Sequence, residues 1–233
     1  AGGPVTSEHH LRVSRTARYY LLGEPGDAVR EIWVVCHGYG QLASPFLQNF
    51  EGLDDGSRLV VAPEALSRFY LTEGAGSRPD ARIGASWMTR EDRLSEIEDQ
   101  GQYLDAVHAE LSARISNSRP VLHVLGFSQG VATAARWVAR GGVRAASLVL
   151  WAGLLPPEID LGAASLLRSL HLTLVVGTRD EFATAELVAG QEEALRAAAI
   201  PFELRRFEGG HRLDDDVLAD VVRRAPTGVR SAS

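Results

Sequence analysis

The chain of 233 residues has no lysine; all 24 of its basic residues are arginine. That excludes Schiff-base chemistry on an ε-amino group and the phosphate-binding lysine of a P-loop. Cysteine is nearly absent as well. With Cys36 alone, no disulfide can close within the chain, and the redox compartment is left open. Cys36 ends the apolar run Ile32-Trp33-Val34-Val35 and reads as a buried, inert thiol. No apolar run reaches the roughly 18 residues of a membrane helix, and the start of the chain has no hydrophobic signal core. Stable membrane insertion is therefore not expected, and the expected location is the cytoplasm. No His, Cys, Asp or Glu group shows the spacing of metal ligands, so neither a metal nor a cofactor is expected. Positive charge is in deficit, with 30 acidic residues against 24 basic ones and a net charge of −6, which argues against nucleic acid as a partner.

What is present is the composition of an ordinary globular domain, 45% hydrophobic and 23% charged. Length and composition fit one α/β domain over residues 1–233, with a catalytic region at about 11–224. Apolar runs alternate with amphipathic stretches, the pattern of a mostly parallel central sheet of about seven strands with helices on both faces. Strands are predicted at Thr16–Leu22, Ile32–Cys36, Leu59–Ala62, Val121–Phe127, Ala146–Trp151, Leu172–Val176 and Phe202–Phe207. Helices are predicted at Pro45–Leu53, Arg90–Ile115, Gly130–Arg140, Ala183–Ala199 and Asp214–Arg224. The segment 64–89 fits no simple element. It carries Phe69, Tyr70 and Trp87 among glycines, and a connection this long is commonly functional. The small, polar residues 225–233 read as a mobile tail.

Five residues carry most of the functional signal. Gly126-Phe127-Ser128-Gln129-Gly130 joins a predicted strand to a predicted helix, the arrangement of a nucleophile elbow that holds a serine hydroxyl above a sheet. A serine hydroxyl is a poor nucleophile without a base in hydrogen-bond reach, and the base needs an acid to fix its tautomer. In an elbow of this kind the partners follow in the order acid, then histidine, after later strands. Asp180 follows the strand Leu172–Val176, with Glu181 beside it as the rival acid. His211 follows Phe202–Phe207 after two glycines. A tetrahedral intermediate also needs two donors for its oxyanion. The amide of Gln129 is one candidate. The other comes from the turn His37-Gly38-Tyr39-Gly40, where the amide of Tyr39 is favoured and His37 reads as a structural prop. Asp214–Asp216 read as caps of the last helix.

Together these motifs resemble the α/β-hydrolase superfamily, and within it the phospholipase/carboxylesterase branch that includes acyl-protein thioesterases. The resemblance spans about Ile32 to Asp214 and rests on His37-Gly38-Tyr39-Gly40, the Phe-Ser-Gln elbow, Gly177 with Asp180, and Gly210-His211. It implies an α/β-hydrolase fold, with Ser128 as nucleophile, Asp180 as acid, His211 as base, and Tyr39 and Gln129 as oxyanion donors. The chain departs from the family near the expected groove. Gln41 stands where an aspartate is common, Pro63-Glu64-Ala65-Leu66 lacks a second proline, and Trp87-Met88-Thr89 keeps only the tryptophan of its element. The implied activity is a serine carboxylesterase acting on short- to medium-chain esters through an acyl-enzyme. Alternatives are a thioesterase or lysophospholipase with the same triad, or a non-catalytic ligand-binding protein on the same fold. The expected partner is a small-molecule ester or thioester, and the sequence leaves monomer and homodimer open. Trp87, Phe69 and Tyr70 are expected to form the substrate wall.

Overall fold

The computed structural model describes residues 6–72, 78–115 and 119–228. The end of the expected tail, 229–233, and the part of the 64–89 segment at 73–77 lie outside the described residues.

Seven strands form the central sheet in the order β1-β3-β2-β6-β7-β8-β9. They are β1 (Tyr19–Leu22), β2 (Glu31–Cys36), β3 (Arg58–Pro63), β6 (Val121–Phe127), β7 (Ala145–Trp151), β8 (His171–Gly177) and β9 (Phe202–Phe207). Only β1 runs antiparallel, pairing with β3 at the edge. A separate antiparallel pair, β4 (Ser67–Tyr70) with β5 (Ile83–Ser86), occupies the segment expected to be irregular. The helices are α1 (Ala43–Leu47), which passes into a 3-10 turn at Gln48–Leu53, α2 (Arg93–Arg114), α3 (Gln129–Ala139), α4 (Ser165–Ser169), α5 (Ala185–Ala197) and α6 (Asp215–Arg223). The five-residue α4 was not expected from the sequence. Gly141 closes α3 in the left-handed region at φ 77°, which an L side chain adopts only with strain.

The strands alternate in the way a sheet covered on both faces requires. On one face Ile32, Val34, Val124, Leu148, Leu150, Leu172 and Leu174 pack against Leu104, Val107 and Leu111 of α2, Val131, Ala134, Ala135 and Trp137 of α3, and Leu195 of α5. On the other face Trp33, Val35, Leu125, Phe127, Val149, Trp151 and Val175 pack against Phe46, Phe50, Leu218, Val221 and Val222. Each such large aliphatic side chain contributes about 1.5–3 kcal/mol by burial. Along α2 the buried face is Gln100-Gly101, Leu104, Val107 and Leu111, while Leu94, which the helical spacing places on that face, is exposed. Cys36 is fully enclosed, and burial pushes its thiol up to about 12, so it stays protonated and inert.

The core on this second face also encloses polar groups. His123 on β6 faces its cross-strand neighbour Ser147 on β7, with Nδ1 2.7 Å from the serine Oγ, and stacks on Trp33 at 4.5 Å. Its Nε2 is buried with no hydrogen-bond partner among the described residues. Burial disfavours the imidazolium and lowers the pKa from 6.5 to about 4. Between those values the unfolded chain takes up a proton that the folded chain refuses. Folding stability contributed by neutral His123 is therefore complete above about pH 6.5 and declines as the pH falls toward 4. Urea unfolding at pH 7.5 and at pH 4.5 should show a stability loss about 2.5 kcal/mol larger in the wild type than in His123→Gln. Equal losses in the two proteins would rule this linkage out.

Candidate active site

The end of β6 delivers Ser128 onto a sharp turn with φ 53° and ψ −118°, a region sparsely populated by non-glycine residues and worth about 1–3 kcal/mol of strain. The turn exists because its flanks are glycines. A Cβ on Gly126 would lie 2.5 Å from the Gly130 carbonyl oxygen, and one on Gly130 would collide with the Cys36 carbonyl. The Ser128 amide donates to the Trp151 carbonyl at 2.8 Å, which fixes the elbow to the neighbouring strand.

His211 and Asp180 reach Ser128 from the ends of the next strands. The turn after β8 carries Asp180, and the loop after β9 carries His211. His211 Nε2 lies 2.8 Å from Ser128 Oγ, and Nδ1 lies 3.0 Å from each carboxylate oxygen of Asp180. The Asp180 side chain is fully enclosed, and its Oδ1 also accepts the amides of Phe182 and Ala183, both at 2.9 Å. Asp180 does not cap α5. That role falls to Thr184, whose side chain accepts the amide of Leu187. Glu181 is exposed to solvent. Asp214 caps α6 by accepting the amide of Val217, as expected, and Asp215 and Asp216 stay exposed in the first turn. His211 is also in ring contact with Phe127 at 5.1 Å and with Phe182 at 4.6 Å. Phe182 was not singled out in the sequence. Its place two residues beyond the acid is the only local clue.

The turn after β2 is stitched down on all sides but one. The Gly38 amide donates to Gln41 Oε1 at 2.7 Å, the Gly40 amide to the Ala85 carbonyl at 2.9 Å, and the Gln41 amide to the Gly38 carbonyl at 3.3 Å. Among the described residues these bonds engage the amides of Gly38, Gly40 and Gln41 and not that of Tyr39. Gln41, which stands where the resembled family often carries an aspartate, serves the turn's own backbone. His37 sits beneath, fully buried, with Nδ1 2.8 Å from the Gly38 carbonyl and Nε2 accepting the Ala65 amide at 3.1 Å. Burial lowers its pKa, so the ring stays neutral and props the turn. Beside it Glu64 is enclosed. Burial alone would raise its carboxyl, but hydrogen bonds from Arg18, Arg68 and the Ala43 amide hold it below the ordinary range.

The substrate-wall expectation is revised by where the aromatics lie. Trp87 is in the core at 1% exposure, its indole donating to the His37 carbonyl at 2.7 Å. Its amide is held at 3.0 Å by Gln129 Oε1, and Gln129 Nε2 donates to the Met88 carbonyl at 2.9 Å. Trp87 therefore supports the turn from below. Phe69 and Tyr70 are on β4, and only Phe69 is linked to the site, by stacking on Tyr39 at 5.1 Å. A cleft of about 470 Å³ at Ser128 is lined instead by Tyr39, Gln41, Phe46, Asn49, Phe127 and Leu213, with Gly38, His211 and Arg212. Trp87→Ala is accordingly expected to lower stability by about 3–5 kcal/mol in urea unfolding, leaving the order of rates on p-nitrophenyl acetate, butyrate and octanoate unchanged. A variant of full stability with a reordered profile would return Trp87 to the substrate wall. Trp137, on α3, is a core residue, donating to Asp105 Oδ1 at 2.8 Å.

One group of potential metal ligands comes together among the described residues, Glu8, His10 and Asp92. Sequence spacing missed it because Asp92 is distant in the chain from Glu8 and His10. All three are exposed, and none lines the Ser128 cleft. Among the described residues no helix is long and apolar enough to cross a membrane.

No protein-family profile matches the chain, and no curated protein does. Solved structures match over nearly its whole length. An esterase, PE8, superposes with a TM-score of 0.67 at 21% identity, covering 91% of this chain and all of its own. Acyl-protein thioesterase 2 of Zea mays gives a TM-score of 0.62 at 21% identity, covering 89% of this chain and 97% of its own. A phospholipase/carboxylesterase from Dyadobacter fermentans gives 0.62 at 16% identity, covering 92% of this chain and 98% of its own. With the sheet order and the elbow, these likenesses establish the α/β-hydrolase fold.

Proposed function

We propose that the chain is a serine carboxylesterase of the phospholipase/carboxylesterase type, acting without a cofactor on esters of short to medium acyl chains. The observation that carries this reading is the unbroken line from Ser128 Oγ through both nitrogens of His211 to an enclosed Asp180. With the Nδ1 proton directed at Asp180, Nε2 turns its lone pair to the serine hydroxyl. Ser128 Oγ attacks the ester carbonyl while its proton passes to Nε2. The new oxyanion is taken by the amides of Tyr39 and Gln129. The intermediate collapses, the bond to the leaving oxygen breaks, and Nε2 returns its proton to that oxygen. Water then repeats the sequence on the acyl-serine and frees the acid.

The fold likeness supports this reading at the level of scaffold, since the similar structures include an esterase and a phospholipase/carboxylesterase. A thioester is the second reading. The same attack serves a sulfur leaving group, and a similar structure is an acyl-protein thioesterase. A fluorophosphonate probe, followed by mass spectrometry of the labelled peptide, is the direct test. Stoichiometric modification at Ser128 is the expected result. A folded protein that takes no label, or is labelled elsewhere, would refute the mechanism.

A further inference from the structure

A second cleft, of about 410 Å³, lies between the α1–3-10 segment and α6, lined by Pro45, Gln48, Asn49, Leu53, Leu218 and Ala219. Asn49 also lines the cleft at Ser128, and its Nδ2 is tied to the Phe46 carbonyl at 2.7 Å, so its side chain stands at the junction of the two. The elements on either side continue as well. Phe46 faces the first cleft and Pro45 the second, while Leu213 faces the first and Leu218 the second.

Which part of an ester would enter this groove follows from His211. Nε2 takes the proton of Ser128 and must return it to the leaving oxygen, so that oxygen has to lie within hydrogen-bond reach of Nε2. The chain beyond His211 runs through Arg212 and Leu213 directly into α6, on the side of the second cleft. The oxyanion turn forms the other side of the site, where Tyr39 stacks on Phe69 and the Gly40 and Gln41 backbone is bonded to Ala85. The second cleft therefore extends the leaving-group side.

Charge restricts the occupant further. Asp215 lines the second cleft, and Asp214 and Asp216 flank it in the chain. Arg212, which lines the first cleft, donates to Asp214 Oδ2 at 3.0 Å and to the Leu213 carbonyl at 2.8 Å, with its guanidinium over the Phe207 ring. An anionic leaving group would meet the exposed Asp215 carboxylate, while the charge of the Arg212 guanidinium is already balanced by Asp214. The apolar lining of Pro45, Leu53, Leu218 and Ala219, beside the amides of Gln48 and Asn49, matches a chain that is mostly hydrocarbon with a few polar atoms.

We propose that the cleft between the α1–3-10 segment and α6 is the subsite for the leaving portion of the substrate, an extended, uncharged, amphipathic alcohol or thiol. The assignment rests on the esterase reading above. It gives Asn49 the part of a specificity-determining residue between the reacting centre and the distal groove.

Acetate esters of methanol, butanol and octanol test it, because the three alcohols differ in length and hardly at all in intrinsic leaving ability. The wild type should turn over octyl acetate with a kcat/KM at least about tenfold above methyl acetate. Ala219 is exposed on α6, so Ala219→Trp can fill the groove without disturbing the core. It should compress that ratio to about threefold or less, while Ala189→Trp, on the exposed face of α5, should keep the wild-type ratio. The acetate ester of 8-hydroxyoctanoate, which ends in a carboxylate, should fall at least about fivefold below octyl acetate in the wild type. An octyl-to-methyl ratio unchanged in Ala219→Trp would overturn the assignment. So would a variant that changes the p-nitrophenyl acyl series while leaving the alcohol series alone. Failure of the wild type to take fluorophosphonate at Ser128 would instead bring down the esterase reading, and the assignment with it.

Discussion

Ser128→Ala is expected to lower kcat/KM for p-nitrophenyl acetate by at least about 10³-fold, with the fold intact. The substitution removes one oxygen and leaves the Cβ that the turn already accommodates at φ 53°, so nothing in the elbow has to move. His211 keeps Asp180 on its other side, and the Ser128 amide keeps its bond to Trp151. What disappears is the acyl-enzyme route, which leaves only attack by water held near the oxyanion donors. Loss of the serine hydroxyl also relieves the imidazole of a fixed partner, so thermal stability should be retained or slightly raised. The comparison to make is the rate of each protein against its circular dichroism and melting temperature. An alanine variant of native fold that keeps most of the wild-type rate would contradict the mechanism, whatever the geometry around it.

The parts of this arrangement that the sequence reveals are those written in local patterns. The β2, β6, β7 and β8 runs are nearly continuous apolar stretches of the kind only a doubly covered strand uses, and the structure places them within a residue of where they are predicted. The elbow was legible because its glycines, its strand and its helix are contiguous. The β4–β5 hairpin was not. Ser67-Arg68-Phe69-Tyr70 and Ile83-Gly84-Ala85-Ser86 lack an alternating apolar run, and the pair is tied down by bonds to Gly40 and Gln41, far away in the chain. Trp87 shows the same limit. An aromatic in a glycine-rich segment reads as a surface wall, but its hydrogen-bond acceptor is the His37 carbonyl, 50 positions away. The cleft is lined partly by the legible turn after β2 and the elbow, and partly by α1, the 3-10 turn and the residues after His211, which the sheet order brings in without any local pattern of their own.

Asp180→Asn tests the assignment most sharply, because the neighbouring hydrogen bonds dictate how the amide must sit. Oδ1 of Asp180 accepts the backbone amides of Phe182 and Ala183, and only an oxygen can stay there. The new NH₂ group is then forced into the place of Oδ2, 3.0 Å from His211 Nδ1, while the retained oxygen, also 3.0 Å from Nδ1, has its lone pairs taken by the two backbone amides. A donor facing Nδ1 makes that nitrogen the acceptor and moves the ring proton to Nε2, where it points at Ser128 Oγ and can no longer accept the serine proton. Size and shape are preserved, yet the tautomer is inverted, and the expected loss in kcat is about 10³- to 10⁴-fold with little change in stability. Glu181→Gln, by contrast, alters an exposed side chain, and a rate within about threefold of wild type is expected. Steady-state kinetics on both variants, with unfolding curves to show that each is native, separate the two carboxylates. A stable Asp180→Asn enzyme near the wild-type rate beside an inactive Glu181→Gln would transfer the role of acid to Glu181, and would require the loop after β8 to turn its exposed carboxylate inward before catalysis.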